Sequence, residues 1–316
     1  MWFLGDKMNC SKCNEKAVIC LQHGNLCKQH FLNYFEEKVF KTIKKYQLID
    51  RKDKICIAAS GGKDSLTVLY LVKKYLQKNR FNCDLFALII DEGIEGYREH
   101  TVKDLESFCK KNEIELKQVS SKKEFGYTLD EAYPIVTKET KKKPCNICGV
   151  WRRYLINKYA RKNGATKLVT GHNLDDEAQA VIMNLFKANT KLAAHLGPMS
   201  GVQEHPLFVR RIKPLYLCTE KETRLYVILK GFEVKFTECP YAQEGYRAQI
   251  RDMLNDFEQK YKGTKQGIIN SFLDLLPLLK EKENETGEIS ICEKCQEPAN
   301  QTVCNACKIS EVITNG

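Results

Sequence analysis

Residues 60–65 (SGGKDS) have the types and spacing of a phosphate-binding loop. They follow the apolar run 55–59 and precede an apolar-periodic segment at 66–76, so a strand, a glycine turn and a helix are predicted. Such a turn points backbone N–H groups and a helix N-terminus at one spot, which favours a bound oxyanion. The spacing differs from the G-x-x-x-x-G-K-[ST] of the P-loop. We therefore predict a phosphate site of a different kind.

Four cysteines near the C-terminus have the number and spacing of zinc ligands. They form two C-x2-C pairs separated by eight residues, namely Cys292, Cys295, Cys304 and Cys307. Closed tetrahedral zinc sites are commonly built from two such pairs. A tail without a core of its own gains order mainly from a bound metal. We therefore predict a zinc module at this end of the chain.

A second group of candidate zinc ligands lies near the N-terminus. Residues 17–21 are predicted to form a strand that turns at 23–25, and the returning strand brings a second pair of ligands back to the first. The predicted ligands are Cys10, Cys13, Cys27 and His30. The alternative second pair is Cys20 with His23.

Cys145 and Cys148 form an internal C-x2-C motif at the start of a predicted helix that also carries arginines. A helix N-terminus and nearby cations lower thiol pKa values, so we expect these thiols to be ready to bind metal or to attack. Cys239 follows a predicted strand at 233–237, which would bring it to the same crevice. Three cysteines on a [4Fe–4S] cluster would leave one iron open, whereas thiols alone would suit a disulfide or persulfide relay. A third structural zinc with Cys218 as fourth ligand is a further alternative.

Between residues 50 and 260, apolar strands alternate with segments of helical periodicity. The predicted strands are residues 54–59, 83–91, 114–119 and 167–171. The predicted helices are residues 63–78, 97–112, about 127–134, 146–163 and 174–188. This alternation indicates right-handed βαβ units and an α/β fold with a doubly wound, mostly parallel sheet. Ligands of such sheets bind outside the carboxyl ends of the strands, where the loops 60–65, 91–93 and 171–177 would converge.

The same patterns divide the chain into segments. A chain of 316 residues with 43% hydrophobic content can hold one large α/β core and small appended modules. We expect an N-terminal zinc knuckle at 1–30, a connecting helix at 31–50, the catalytic domain at 51–260, a helical segment at 261–285 and a C-terminal zinc module at 286–316. Residues 241–282 have a helical pattern throughout.

The formal net charge of +11 suggests a polyanionic partner. Basic residues cluster at 141–143, 152–153, 161–162 and 210–211. Nucleic acid is the candidate that this charge favours. The chain has no apolar run of about 18 residues, and its N-terminus lacks the form of a signal peptide. We therefore expect a soluble cytoplasmic protein without a membrane partner.

The loop SGGKDS resembles the PP-loop of ATP-dependent adenylating enzymes, which cut ATP between its α and β phosphates. Further motifs are PCNICG at 144–149, GHNLDDEA at 171–178 and ECPY at 238–241. Together with the two terminal cysteine modules, they resemble the TtuA family of tRNA 2-thiouridine synthetases over nearly the whole chain. The resemblance implies a PP-loop ATPase fold of the adenine nucleotide α-hydrolase type.

This resemblance also implies specific site residues. ATP with Mg²⁺ would be bound by Ala58, Ala59, Ser60, Gly61, Gly62, Lys63, Asp64, Ser65, Ile90, Arg152, Gly171 and Asp176. A [4Fe–4S] cluster would be held by Cys145, Cys148 and Cys239. These three cysteines, Lys63 and Asp176 would be the catalytic residues, and two Zn²⁺ ions would occupy the terminal modules.

The implied reaction replaces O2 of a tRNA uridine by sulfur. ATP would activate O2 as an adenylate, and sulfur from a ubiquitin-like thiocarboxylated carrier or from free sulfide would then displace AMP. We favour the wobble uridine over the 5-methyluridine of the T-loop as the target. A cluster-free persulfide sulfurtransferase and a zinc-bearing RNA-binding scaffold are the alternatives. Relatives are often dimers, so a homodimer is expected by resemblance.

Overall fold

The described part of the chain starts with a hairpin that leads into a long helix. The computed structural model describes residues 8–202, 205–235, 239–241, 245–284 and 290–315. The hairpin consists of β1 (Ile19–Leu21) and β2 (Gly24–Leu26), and α1 (Lys28–Lys45) follows directly. The predicted hairpin is therefore confirmed.

A five-stranded sheet lies at the centre of the molecule. Its strands are β3 (Lys54–Ala58), β4 (Asp84–Asp91), β5 (Glu115–Ser120), β6 (Lys167–Thr170) and β7 (Arg210–Ile212). They lie in the order β5-β4-β3-β6-β7, and every neighbouring pair is parallel. The strand order reverses between β3 and β6, so the topological switch point lies at the carboxyl ends of these two strands.

Helices surround the sheet. Those of the central part are α2 (Lys63–Asn79), α3 (Arg98–Lys111), α4 (Ser121–Phe125), α5 (Leu129–Thr140), α6 (Pro144–Lys162), α7 (Leu174–Phe186), α8 (Thr190–Ala194) and α9 (Glu220–Lys230). They are followed by α10 (Tyr246–Lys260), α11 (Thr264–Asn284), a small hairpin of β8 (Ser290–Ile291) and β9 (Pro298–Ala299), and α12 (Asn305–Asn315).

The central strands are apolar on both faces. Ile55 and Ile57 of β3 are fully buried in a core that includes residues of α1, α2 and α3. Cys56 faces the other way and packs in a second core with Leu155 and Ala160 of α6. Helices thus cover both faces of a parallel sheet, which explains why its strands are near-continuous apolar runs. The predicted doubly wound α/β fold is confirmed.

One predicted helix has shifted bounds, and one predicted helical segment forms a pair of helices. The helix predicted near 127–134 corresponds to α5, and the short helix α4 before it, which Gly126 ends, was not predicted. Thr128 and Glu131 form a capping box, which satisfies two free N–H groups at the start of α5. The helical pattern at 241–282 is interrupted between Lys260 and Thr264, where α10 ends and α11 begins.

The last part of the sheet differs from the prediction. The predicted strand at 233–237 is absent from residues 233–235, and residues 236–237 lie outside the described part of the chain. The fifth strand is instead β7, which pairs with β6. Sequence pattern did not indicate β7, because it has only three residues and two of them are arginines.

Candidate active site and metal-binding groups

The glycine loop connects β3 to α2 and is closed on the first turn of that helix. Ser60 N donates a hydrogen bond to Ser65 Oγ (3.2 Å), and Ser65 Oγ donates to the Gly62 carbonyl (2.9 Å). Gly61 has φ +82°, and a Cβ there would lie 2.6 Å from the Thr101 carbonyl oxygen. Only glycine fits this position. The loop is therefore a preformed anion-binding turn at a helix N-terminus, as the sequence predicts.

The loop after β6 lies directly against the glycine loop. A Cβ on Gly171 would lie 2.9 Å from the Asp64 carbonyl carbon, so this close approach requires a glycine. Asn173 starts α7 with a capping box that includes Asp176, and its Nδ2 donates to Asp64 Oδ1 (3.2 Å). The structure thus brings Asp64, Gly171 and Asp176 to one edge of the sheet.

Charged side chains surround this junction. Lys63 Nζ lies 2.8 Å from Asp64 Oδ2 and 3.1 Å from Glu220 Oε1. Burial raises the pKa of Asp64, and Lys63 opposes that shift. Burial also raises the pKa of Asp176 to about 6, although Arg247, with Nη2 3.4 Å from Asp176 Oδ1, opposes it. Neighbouring carboxylates of this kind are the ligands that Mg²⁺ prefers.

Two predicted nucleotide contacts have their side chains in the sheet core rather than in the crevice. Ile90 is 2% exposed and packs with α6 residues. Ala59 is also buried, and its N–H donates to the Leu88 carbonyl (2.9 Å). Ala58, which ends β3, is half-buried. At Ile90 and Ala59, any contact with a nucleotide would therefore be made mainly by the backbone.

The internal cysteines lie near the N-terminus of α6. Cys145 Sγ donates to the Tyr241 carbonyl (3.0 Å), which places the 239–241 segment beside the C-x2-C motif. Cys148 and Cys239 both pack against one apolar cluster that includes Ile147. The structure thus brings the three cysteines to the same region. Glu238 of the ECPY motif lies outside the described residues.

The spacing of these sulfurs differs from that of a single-ion site. Within the described ranges, Cys145, Cys148 and Cys239 do not form a group whose sulfurs all lie within 4.8 Å of one another. Such a distance suits the ligands of one metal ion. The thiolates of a [4Fe–4S] cluster bind separate irons and are spread more widely.

The expected lowering of the thiol pKa values is wrong for Cys148. Burial raises its pKa to about 11, even though the Arg152 guanidinium donates to its sulfur (Nη2 to Sγ, 3.2 Å). Burial also raises the pKa of Cys239. Burial therefore outweighs the nearby cation, and a bound metal would be needed to deprotonate these thiols.

Cys218 does not belong to this region, so the alternative of a third zinc with Cys218 as fourth ligand is wrong. Cys218 is fully buried in the core that contains α1 and α9. Its charged neighbours are Lys38 and Glu222.

Sequence reasoning missed Glu92 and Arg98. Glu92 follows β4 and is fully buried, and its carboxylate lies 2.7 Å from Arg98 Nε and 2.8 Å from Arg152 Nε. The signal available in the sequence was an acidic residue at the carboxyl end of a core strand, in the loop 91–93 that was expected to reach the crevice. Its partners could not be identified without the fold.

The four N-terminal candidates form one compact group. Cys10, Cys13, Cys27 and His30 place their ligand atoms within 4.8 Å of one another. The Cys13 and Cys27 sulfurs are 3.7 Å apart, and His30 Nδ1 lies 3.3–3.5 Å from the three sulfurs. A tetrahedral zinc with bonds of about 2.3 Å to sulfur and about 2.0 Å to nitrogen requires separations of about 3.8 and 3.5 Å. These residues therefore fit a zinc ion. The alternative pair is elsewhere, since Cys20 is exposed and His23 packs on Tyr34.

The C-terminal cysteines have the same geometry. The ligand atoms of Cys292, Cys295, Cys304 and Cys307 also lie within 4.8 Å of one another. The Cys295 and Cys304 sulfurs are 3.7 Å apart, and those of Cys292 and Cys307 are 3.9 Å apart. This set of four sulfurs could likewise bind a tetrahedral metal ion.

These features define a PP-loop protein, and the PP-loop domain family matches residues 32–256. The tRNA-5-methyluridine(54) 2-sulfurtransferase of Pyrococcus horikoshii is 35% identical over 95% of this chain and 93% of its own. Cytoplasmic tRNA 2-thiolation protein 1 of Aspergillus niger is 32% identical over 96% of this chain and 87% of its own. The chain therefore belongs to the tRNA 2-thiolation family of PP-loop sulfurtransferases, and the resemblance noted from the motifs is confirmed.

A solved structure agrees with this assignment over the whole fold. It is the U34-tRNA thiolase NcsA from Methanococcus maripaludis with its [4Fe–4S] cluster. That structure superposes with a TM-score of 0.80 at 34% identity and covers 96% of each chain. Within the described residues, no helix is long and apolar enough to span a membrane.

Proposed function

We propose that this protein is an ATP-dependent tRNA-uridine 2-sulfurtransferase that thiolates the wobble uridine. One observation carries the proposal: the glycine loop and the internal cysteines lie at the same edge of the sheet, joined through buried Glu92. Arg98 donates to the Ser60 carbonyl (3.1 Å) and pairs with Glu92, which also pairs with Arg152 beside Cys148. A phosphate-binding loop next to a group of thiols suits activation by ATP followed by sulfur transfer.

The loop side of the site performs the first step. The backbone N–H groups of residues 63–65 at the start of α2 and the neighbouring Gly171 would bind the phosphates of ATP. Asp64 and Asp176 would bind Mg²⁺, and Lys63 would neutralise phosphate charge. Uridine O2 attacks the α-phosphorus, the new O2–P bond forms and pyrophosphate leaves. The resulting adenylate makes C2 of the base electrophilic.

The cysteine side of the site supports the second step. Cys145, Cys148 and Cys239 would hold a [4Fe–4S] cluster, which supplies an iron with an open position for a sulfur ligand. Sulfide adds at C2, the C2–O2 bond breaks and AMP leaves with that oxygen, which gives 2-thiouridine. The target base must be unstacked to reach the crevice, which favours a loop nucleotide. The printed name of the Methanococcus maripaludis neighbour supports position 34, whereas that of the Pyrococcus horikoshii relative points to position 54.

Three further assignments complete the proposal. The terminal groups would each bind one Zn²⁺ ion, since their geometry fits a tetrahedral site. Basic residues at the surface would bind the tRNA backbone, whose phosphates dominate affinity. The sulfur would come from a ubiquitin-like thiocarboxylated carrier or from free sulfide, in a cytoplasmic enzyme that acts as a homodimer.

Nucleoside mass spectrometry tests the proposed reaction. tRNA is incubated with anaerobically reconstituted protein, ATP and sulfide, and 2-thiouridine is mapped to its position. We expect thiolation at position 34, and we expect Cys145→Ala to abolish it while ATP binding persists. Cys20→Ala is the matched control, because Cys20 is an exposed thiol outside all three cysteine groups. Thiolation at position 54 would reassign the target, and full activity without iron would favour the persulfide mechanism.

A further inference from the structure

Glu92 is a buried carboxylate with two arginine partners in different parts of the site. Its side chain is fully inaccessible, with Arg98 Nε 2.7 Å from Oε2 and Arg152 Nε 2.8 Å from Oε1. Removing a carboxylate from water is expensive unless charged partners compensate it. An ion pair at the surface stabilises a fold without this desolvation cost. The burial of Glu92 therefore indicates a role in the geometry of the site.

Arg98 connects Glu92 to the glycine loop. Its side chain is 4% exposed, and Nη1 donates to the Ser60 carbonyl (3.1 Å). Nε and Nη2 donate to the Ile90 carbonyl (3.0 and 2.5 Å). One guanidinium therefore ties the end of β3 to the end of β4. A planar fork can do this because its donors have fixed directions.

Arg152 connects Glu92 to the cysteines. Its Nε pairs with Glu92, and its Nη2 donates to Cys148 Sγ (3.2 Å). The Cys148 sulfur itself lies 3.9 Å from Glu92 Oε1. The Arg152 side chain is 45% exposed, so Glu92 holds its Nε while part of the side chain is open to solvent.

The backbone of Glu92 is also fixed. Its carbonyl accepts a hydrogen bond from Leu129 N (2.7 Å), and Gly93 N donates to Asp91 Oδ1 (2.9 Å). A Cβ on Gly93 would lie 2.5 Å from the Thr128 methyl carbon. The carboxylate is thus held by the β4 loop and the start of α5, which gives it the rigidity that a positioning group needs.

We propose that Glu92 is a positioning residue that fixes Arg152 over the Cys148 thiol. Through Arg98, Glu92 also fixes the position of Arg152 relative to the glycine loop. This role rests on the proposed function only in that the two halves of the site must act on one uridine. The arginine partners provide the geometry, and Glu92 contacts no reacting atom. Loss of the carboxylate should release Arg152 from Cys148 while the loop keeps its fold.

The first test measures alkylation of Cys148 in cluster-free full-length protein, by iodoacetamide and peptide mass spectrometry at several pH values, so that the rate per thiolate is obtained free of the change in pKa that a lost charge causes. We expect Glu92→Gln to raise the rate about tenfold, because the hydrogen bond that holds the covering guanidinium loses its charge assistance. Glu124→Gln is the matched control. Glu124 of α4 pairs with Lys158 (Nζ at 2.8 Å) and Tyr159, which lie in α6 like Arg152 but away from the cysteines. Its rate should stay within about twofold of wild type.

A double-mutant cycle shows whether Glu92 acts through Arg152. In an Arg152→Ala background, Glu92→Gln should add little to the alkylation rate, because the covering group is already gone. Additive effects in that cycle would overturn the proposal. If Glu92→Gln does not fold, Arg152→Ala alone decides: its side chain is half-exposed, and an unchanged Cys148 rate would equally contradict the role.

Two further measurements separate this role from general stability and from the proposed reaction. ATP affinity of the cluster-free Glu92→Gln protein should match that of Arg152→Ala, because Arg152 is an expected ATP contact and Arg98 keeps the glycine loop bonded to both strand ends. In the reconstituted enzyme, kcat for thiolation should fall about tenfold or more with little change in the KM for tRNA. A wild type that binds no ATP or thiolates no tRNA would refute the proposed function, yet the alkylation result would still test the position of Arg152.

Discussion

The two terminal cysteine groups have nearly the same ligand geometry but very different neighbours. The ligands of the N-terminal group flank the β1–β2 hairpin and reach into the first turn of α1, whose Phe31 and Phe35 pack into the main core. The C-terminal group packs on α5 and α6, and Cys292 and Cys304 share an apolar cluster with Trp151 of α6. Because α6 also carries Cys145 and Cys148, the C-terminal group contacts the helix of the cysteine site, whereas α1 beside the N-terminal group packs on α2 and α9. Similar ligand geometries thus occur in two different structural settings.

Cys292→Ser tests whether the C-terminal group supports α6. Cys292 is fully buried, and a structural metal contributes its binding free energy to folding of its module. We expect loss of one zinc ion, loss of iron incorporation and a fall in thiolation of about 100-fold, since groups that orient metal ligands matter by about 10–100-fold. Metal analysis before and after reconstitution, together with the thiolation assay, measures all three. Iron content and thiolation within twofold of wild type would contradict direct support of α6.

The corresponding N-terminal variant, Cys10→Ser, should affect stability rather than the cysteine site. We expect loss of one zinc ion and a melting temperature several degrees lower, because the hairpin no longer fixes the start of α1. Iron incorporation and ATP affinity should stay near wild type. Calorimetry and iron analysis provide the comparison, with Cys20→Ser as the control for removal of a thiol from the same hairpin. Iron loss as large as in Cys292→Ser would remove the distinction between the two ends.

The ligand groups were accessible from the sequence, whereas their neighbours were not. Cys292 and Cys295 are recognisable because metal ligands repeat at short spacings along the chain. The glycine loop is recognisable for a similar reason, because its strand, turn and helix are adjacent in sequence. The Glu92–Arg152 pair joins residues 60 positions apart, so it depends on how α6 packs against β4. The pKa of Cys148 was misjudged for the same reason: the arginine is visible in the sequence, but the burial that outweighs it arises from tertiary packing.

An ion pair beside each module can be removed without changing a metal ligand. On the N-terminal side, Lys38 of α1 lies 2.8 Å from Glu222, whose side chain is 5% exposed. Lys38→Met leaves that carboxylate without its cation, so we expect the free energy of unfolding to fall by about 2–3 kcal/mol. Denaturant unfolding measures the loss. Alkylation of Cys148 should not change, and an increase would mean that α1 also supports the cysteine site.

The matched pair on the C-terminal side is Arg161 of α6 with Glu297 (2.6 Å). The carboxylate that loses its cation, Glu297, has a side chain 10% exposed against 5% for Glu222, so Arg161→Met should lower the free energy of unfolding by slightly less, about 2 kcal/mol. Here, however, the lost contact joins the module to α6, and we expect Cys148 alkylation to rise about twofold because α6 is less firmly held. Lys162→Met is the control, since its side chain is exposed on the same turn and packs on Tyr159 rather than on the module. A stability loss in Arg161→Met with an unchanged alkylation rate would show that the module stabilises the fold without positioning the cysteines, and the two ends of the chain would then serve the same purpose.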